Sequence, residues 1–236
     1  MIFNRPEELD ISVILPCLNE ELTVALCIRK ALSCFEKLAL KGEVIVIDNG
    51  SSDCSFSEAL NAGAEVIREP IRGYGRAIRR GMEMSRGRIL IIADADNTYD
   101  LSELGKMVRP LLDNAFDVMI GDRYSGVIER GAMKLSHRIG GAFLAWLARK
   151  RFLSDVNDFH CGLRGITRQA ASSMEITSDG MELATEFVAE ASLKKLRIGQ
   201  VPVSLGCGAR GRKSKLRTVR DGFRHLRYIM NSAPGQ

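Results

Sequence analysis

Two carboxylates, Asp94 and Asp96, stand two residues apart where a short apolar run, Ile89 to Ile92, stops. Hard oxygen donors at that spacing suit Mg2+ or Mn2+, which are commonly held by one or two carboxylates plus the phosphates of a substrate. Aspartates after a strand also simply make turns, and isolated DxD triplets are common. Position favours the metal reading, because ligands of open α/β sheets collect beyond the carboxyl ends of the strands. Asp100 reads differently: Asp100, Leu101, Ser102 and Glu103 fit a capping box that opens the next helix.

Other polar groups recur in the same kind of place. Asp48 follows the apolar run Val44 to Ile47, and Arg123 follows Phe116 to Ile120. Around Gly73 and Gly75, glycines that admit close approach of a ligand are flanked by Arg72 and Arg76, which can meet phosphates. In DFHCGLR (158–164), Asp158 either orients a substrate or metal-bound water or caps a turn. His160 is a candidate for a metal shell or a phosphate contact, against the plain structural role of a lone histidine. Glu182 and Glu186, four apart on one helix face, either frame a site or are solvated charges. Cys161 reads as packing.

The elements that must position these groups form an α/β pattern. Strands are expected at 11–15, 43–47, 64–68, 89–92 and 116–120, with Pro16 halting the first because proline has no amide proton for a ladder. Between them fall an amphipathic helix carrying Ala25, Ile28, Leu32 and Phe35, a helix over 77–85 and another over 101–112. Such alternation is that of a doubly wound, mostly parallel Rossmann-like sheet flanked by helices. Beyond Arg123 the alternation fails. Helices are expected over 133–152 and 181–195, a strand over 198–205, then a basic tail. There is no repeat or linker, so the reading is one domain, divided at about 123/124, whose second half, 124–236, builds an acceptor site. Neither GxxxxGK[ST] nor GxGxxG occurs, which argues against Walker ATPases and classical Rossmann dehydrogenases.

The chain has 236 residues and a formal net charge of +5. From Cys207 onward eight basic residues face one acid, Asp221, so the rest of the chain is net acidic. A local basic surface for phosphates or anionic lipid follows from that asymmetry. The apolar face around Trp146 either rests on lipid or packs on the sheet. Six scattered cysteines without metal spacing suggest reduced thiols in a cytosolic protein. Met1 to Asp10 is too polar for a signal sequence, and the longest apolar run, 139–148, is too short to span a bilayer.

Taken in order, ISVILPCLNEE, EVIVIDNGSSD, REPIRGYGRAIRRG, IIADADNTYD, GDRYSG, DFHCGLR, GMELATEF and RKSKLRTVRDGFRHLRYI resemble family 2 glycosyltransferases of the GT-A fold. Within them the chain looks most like the polyprenyl-phosphate (dolichol-phosphate) mannose and glucose synthases. The resemblance implies that Pro16, Asn19, Glu20, Asp48 and Asp94 border the nucleotide of a nucleotide sugar, with Arg76 near its phosphates, so that 1–123 is the nucleotide-sugar half. Asp96 becomes the main metal ligand, and Arg123, Asp158 and Arg164 become catalytic and acceptor residues. Arg210, Arg212 and Lys215 join Arg123 and Arg164 around an acceptor phosphate. The cofactor is then Mg2+ or Mn2+.

A hydroxyl acceptor must lose a proton to a base, whereas a phosphate monoester, with a second pKa of about 6, is already largely dianionic at neutral pH. Many arginines near the acceptor half favour the phosphate, and an in-line displacement that inverts the anomeric centre. The expected protein is peripheral at the inner face of the membrane, without nucleic acid, with a membrane protein as a further partner. Rival readings are a soluble hydroxyl acceptor, a non-catalytic basic module binding membrane or nucleic acid, and a nucleotidyltransferase.

Overall fold

The computed structural model describes residues 3–6, 8–208 and 218–232. Strands β1 (Leu9–Cys17), β2 (Gly42–Asp48), β3 (Glu65–Arg68) and β4 (Gly87–Ile92) alternate with helices α1 (Val24–Leu38), α2 (Ser55–Asn61) and α3 (Tyr74–Met84). A 3-10 turn (Leu101–Glu103) and α4 (Gly105–Leu112) lead to β5 (Val118–Asp122) and α5 (Leu135–Phe152). The order then runs β6 (Arg164–Thr167), α6 (Arg168–Ser173), α7 (Leu183–Leu193), β7 (Ile198–Pro202) and α8 (Thr218–Asn231). The strands make one seven-stranded sheet, β3-β2-β1-β4-β6-β5-β7. β1 to β4 pair in parallel, β6 runs antiparallel to both β4 and β5, and β7 is parallel to β5. The expected mostly parallel sheet is present.

The central strands are apolar on both faces because both are covered. Ile11, Val13, Ile14 and Leu15 of β1, and Leu90 and Ile91 of β4, have no exposed surface. Burying each such side chain contributes about 1.5–3 kcal/mol. On α1 the buried stripe is Val24, Cys27, Ile28, Ala31, Cys34 and Phe35. Ile28 and Phe35 lie on it as expected; Ala25 and Leu32 are half-buried at its margin.

Two expectations are corrected and one open alternative is decided. Pro16 does not halt β1, which continues to Cys17 in register with Asp48. Cys17 O accepts from Asn49 N (2.9 Å) and Ile14 O from Ala93 N (3.1 Å), so residue 16 turns its nitrogen toward β4. Pairing with β4 has by then ended at Ile14, and the missing amide costs no ladder bond. Secondly, β6 and α6 were not anticipated, and β6 wedges between β4 and β5, so residues on both sides of 123/124 share one sheet. Thirdly, the α5 face at Leu135, Ile139, Phe143 and Trp146 is exposed and does not pack on the sheet.

Candidate functional site

Strands β2, β1 and β4 are neighbours, so their carboxyl ends bring the Asp48, Asn19 and Asp94 loops together. The loops are stitched to one another. Asn19 Oδ1 accepts from Ser52 N (2.7 Å), Asn19 N donates to Ser51 Oγ (2.9 Å) and Glu20 N to Ser55 Oγ (2.6 Å). Glu20 is buried, and its carboxylate accepts from Thr23 Oγ1 (3.2 Å). Asp48, also buried, accepts from Ser51 N (3.0 Å). Pro16 lies at the base of this group, half-buried.

Beyond β4, Asp94 Oδ1 accepts from Tyr74 Oη (3.0 Å) at the start of α3. Asp96 Oδ1 accepts from Thr98 N (3.0 Å) and Thr98 Oγ1 (2.7 Å), across Asn97 in the left-handed conformation (φ 59°). Oδ2 of each aspartate has no hydrogen-bond partner among the described residues. Gly162 sits against Asp94: a Cβ there would stand 2.2 Å from Asp94 Oδ2. The Gly162 amide donates to Tyr99 Oη (3.0 Å), which fixes the 158–164 segment over the carboxylates. Tyr74 and Tyr99 carry this architecture, yet nothing in their local spacing distinguishes them from core aromatics. Asp100 is a cap, as expected, but of a 3-10 turn through Ser102 N (3.2 Å), and Glu103 pairs with Lys106 (2.7 Å) where a capping box would turn it back to residue 100.

Arg123 and Asp158 form a bidentate ion pair, Nε to Oδ2 at 2.6 Å and Nη2 to Oδ1 at 2.8 Å. Arg123 N also donates to Oδ2 (3.3 Å) and His160 N to Oδ1 (3.2 Å), so each oxygen of this fully buried carboxylate accepts two bonds. Arg164, 2% exposed, donates from Nε to Cys161 O (2.7 Å) and from Nη2 to Phe159 O (3.3 Å), with its guanidinium over the Phe187 ring. Its Nη1 is buried without a partner among the described residues. His160 Nε2 meets Thr185 Oγ1 at 3.3 Å. Burial, then the charges of His225, Arg123 and Arg164, hold His160 well below the usual histidine range.

Several expected site residues are engaged by the protein itself. Arg76 is paired with Glu69 (3.3 Å) and Asp179 (3.8 Å). Gly73 and Gly75 admit protein backbone, not a ligand: a Cβ at 75 would stand 2.3 Å from Ser178 O, and Gly75 N already donates to Asp179 O (3.0 Å). Arg72 donates to Gly50 O (3.1 Å). Glu186 is buried and caps the 177–178 turn through Thr177 N (2.9 Å) and Ser178 N (2.8 Å). Glu182 accepts from Gly180 N (3.2 Å) and lies 3.9 Å from Arg224. Cys161 is buried, and burial pushes its thiol up to about 11, which suits packing. Arg210, Arg212 and Lys215 lie outside the described residues. Among the described residues no three His, Cys, Asp or Glu side chains make a ready metal cage.

Burial, then the Asp96 charge, raise the Asp94 carboxyl to about 6, against the Tyr74 hydrogen bond and the Arg164 and Arg123 charges. A cation on Asp94 must displace that proton below pH 6. If Asp94 holds a divalent ion, the affinity for Mg2+ is expected to be about tenfold weaker at pH 5 than at pH 7, and flat above. The metal-free fold carries the opposite dependence: stability from a raised carboxyl is present at low pH and lost as pH rises through about 6. Thermal shifts on adding Mg2+ should then be larger at pH 7 than at pH 5.

A mostly parallel sheet with acids at the ends of adjacent strands defines a GT-A type α/β domain. The chain belongs to glycosyl transferase family 2, which it matches over residues 12–173. It is 35% identical over 226 residues to the low-salt glycan biosynthesis hexosyltransferase Agl6 of Haloferax volcanii, covering 95% of this chain and 54% of that protein. It is 30% identical over 193 residues to the human dolichyl-phosphate beta-glucosyltransferase, covering 72% of this chain and 58% of that protein. The chain thus spans little more than half of these curated relatives. Its fold is shared with glucosyl-3-phosphoglycerate synthase from Mycobacterium tuberculosis, solved with Mn2+, UDP and glucosyl-3-phosphoglycerate (TM-score 0.73, 24% identity, 94% of this chain and 78% of that one). It is also shared with mannosyl-3-phosphoglycerate synthase from Rubrobacter xylanophilus (TM-score 0.76, 21% identity, 94% and 73%).

Proposed function

We propose that this chain moves a hexose from a UDP- or GDP-linked sugar to a polyprenyl phosphate, with inversion, and that Asp94 and Asp96 hold the Mg2+ or Mn2+ it requires. The observation that carries the reading is the pairing of opposite charges in one place. Asp94 and Asp96 each keep one oxygen without a hydrogen-bond partner among the described residues, and the charges of Arg123 and Arg164 act on Asp94. Hard oxygen donors fit a hard divalent ion, which Asp94 and Asp96 would hold together with the phosphates of the donor. When bound, such an ion supplies Lewis-acid stabilisation of the departing diphosphate.

The chain's own residues do the rest. Pro16, Asn19, Glu20 and Asp48 border the nucleotide in the amino-terminal half. Asp158 positions Arg123 for phosphate, and Arg164 adds a buried positive charge. An acceptor that arrives as a dianion needs positioning and no base, which agrees with an Asp158 carboxylate whose oxygens are all committed. The name of the human relative supports the lipid phosphate.

The exposed ridge Leu135, Ile139, Phe143 and Trp146, with Phe143 stacked on Trp146, offers a peripheral contact with an anionic bilayer at the inner membrane face. Helix α8 packs against α5 and carries exposed Arg220 and Arg227, each of which adds about 1 kcal/mol near such a surface. No described helix is long and apolar enough to cross a membrane. A membrane protein partner is a further part of this proposal.

Incubation with Mn2+, a panel of UDP- and GDP-sugars and farnesyl phosphate, with product identified by mass, tests it. A glycosyl farnesyl phosphate with a β linkage is expected; an α linkage, or transfer only to a hydroxyl acceptor, overturns it. Asp96→Ala is expected to lower turnover about a hundredfold, the usual cost of one such electrostatic contact.

A further inference from the structure

Thr185, on α7, has no exposed surface, and its hydroxyl lies between two imidazoles: His225 Nδ1 at 2.8 Å and His160 Nε2 at 3.3 Å. The rings meet edge-on, with centroids 4.6 Å apart. They come from the 158–164 segment and from α8, so three distant stretches converge on one hydroxyl. The outward nitrogens, His160 Nδ1 and His225 Nε2, have no hydrogen-bond partner among the described residues.

Proton counting limits what this chain of groups can offer. A hydroxyl has one proton, so it donates to one ring and accepts from the other. The ring that receives the proton carries its own hydrogen on the outward nitrogen. With both rings neutral, the cluster therefore always presents one outward N–H donor and one outward acceptor, whichever way the hydroxyl turns. Burial favours that neutral state in both rings, and the Arg164 charge adds to it. Arg164, whose charge acts on both rings, has its Nη1 buried without a partner among the described residues. That donor and the outward histidine nitrogens are groups that a bound group rich in acceptor oxygens would satisfy.

We propose that Thr185, His160 and His225 form one wall of the acceptor site and grip the phosphate of a prenyl phosphate monoester opposite Arg123 and Arg164. The inference rests on the transferase reading above and extends it, because it makes α8 part of the acceptor site. An oxygen of the monoester takes the outward N–H, and its negative charge compensates Arg164. Should a phosphate oxygen still carry its proton, the outward acceptor nitrogen takes that proton's hydrogen bond.

The test uses the whole chain with Mg2+ and the nucleoside diphosphate of its donor. Imidazole 15N resonances of His160 and His225 are expected to shift on adding farnesyl phosphate and to stay put on adding farnesol. Thr185→Val, which keeps the shape and removes the hydroxyl, is expected to raise the KM for farnesyl phosphate at least tenfold with donor KM within twofold. A network that only docks α8 would give neither result. Normal turnover of farnesyl phosphate by the unaltered chain, with unshifted histidines and an unchanged KM in Thr185→Val, overturns this inference alone. Failure of the unaltered chain to use farnesyl phosphate, with transfer to a hydroxyl acceptor instead, overturns the phosphate reading and this inference with it.

Discussion

Gly162→Ala is expected to weaken binding of the metal-bound nucleoside diphosphate by about a hundred- to a thousandfold while leaving the protein folded. The residue has no left-handed backbone torsion, so alanine meets no backbone strain there. What it meets is Asp94: the new methyl carbon would stand 2.2 Å from Oδ2 and 3.0 Å from Cγ. A separation near 2.2 Å is far inside contact distance, and the carboxylate must swing away. Asp94 is short and tied at Oδ1 to Tyr74, so relief comes from breaking that bond or from withdrawing Oδ2 from the place where a cation would sit. Either way the carboxylate leaves the position from which it would meet a cation, and the loss of one such contact is worth about 10²–10³. Titration calorimetry with Mn2+ and the donor's diphosphate checks the loss, and Tm should move by only a few degrees. Combining Gly162→Ala with Asp94→Ala should add little to either alone, because both remove the same ligand. Binding within threefold of the unaltered chain would show that Asp94 takes no part.

What could be read from the residues, and what could not, divides along the range of the forces involved. The parallel strands and the acids at their ends follow from local pattern: a β-branched run stopping at aspartates is visible at Ile89–Asp96. Pro16 misleads because its effect depends on which neighbour its nitrogen faces, a fact of the sheet order and not of the chain. β6 is only Arg164–Thr167 and opens on a fully buried arginine, so no apolar run announces it. The glycines at 73 and 75 signal close approach correctly, but the approaching partner is the 178–180 backbone, a hundred residues distant. The roles of Tyr74, Tyr99 and Thr185 rest on single hydrogen bonds across the fold, to Asp94, Gly162 and His225, which no spacing encodes. Asp158 and Arg123 were both visible as candidates, though 35 residues apart in the chain they gave no sign of being each other's partner.

That ion pair carries the other large expected effect. Asp158→Ala leaves Arg123 partly buried beside no countercharge, and removing one partner of a buried pair costs about 3–5 kcal/mol. For a chain of this size the midpoint of thermal unfolding should fall on the order of 10 °C. Asp158→Asn keeps the shape but turns an amide donor toward the guanidinium, so it too breaks the fork. Turnover should fall with it, and the question is by what route. A base at Asp158 would leave a limb in the pH–rate profile that vanishes in Asp158→Asn, and the effect would be independent of residue 123. A carboxylate that positions Arg123 predicts the reverse: an unchanged pH profile, a raised KM for the phosphate acceptor, and strong coupling between the two sites. Arg123→Lys should then cost most of what the double variant Arg123→Lys, Asp158→Asn costs. A coupling energy above about 1 kcal/mol in that cycle supports positioning, whereas additive losses with a lost pH limb would restore the base and with it a hydroxyl acceptor. The four hydrogen bonds into Asp158 favour the first outcome, since a carboxylate that gives up its share of them to take a proton would leave Arg123 without its partner at the moment negative charge has to be held.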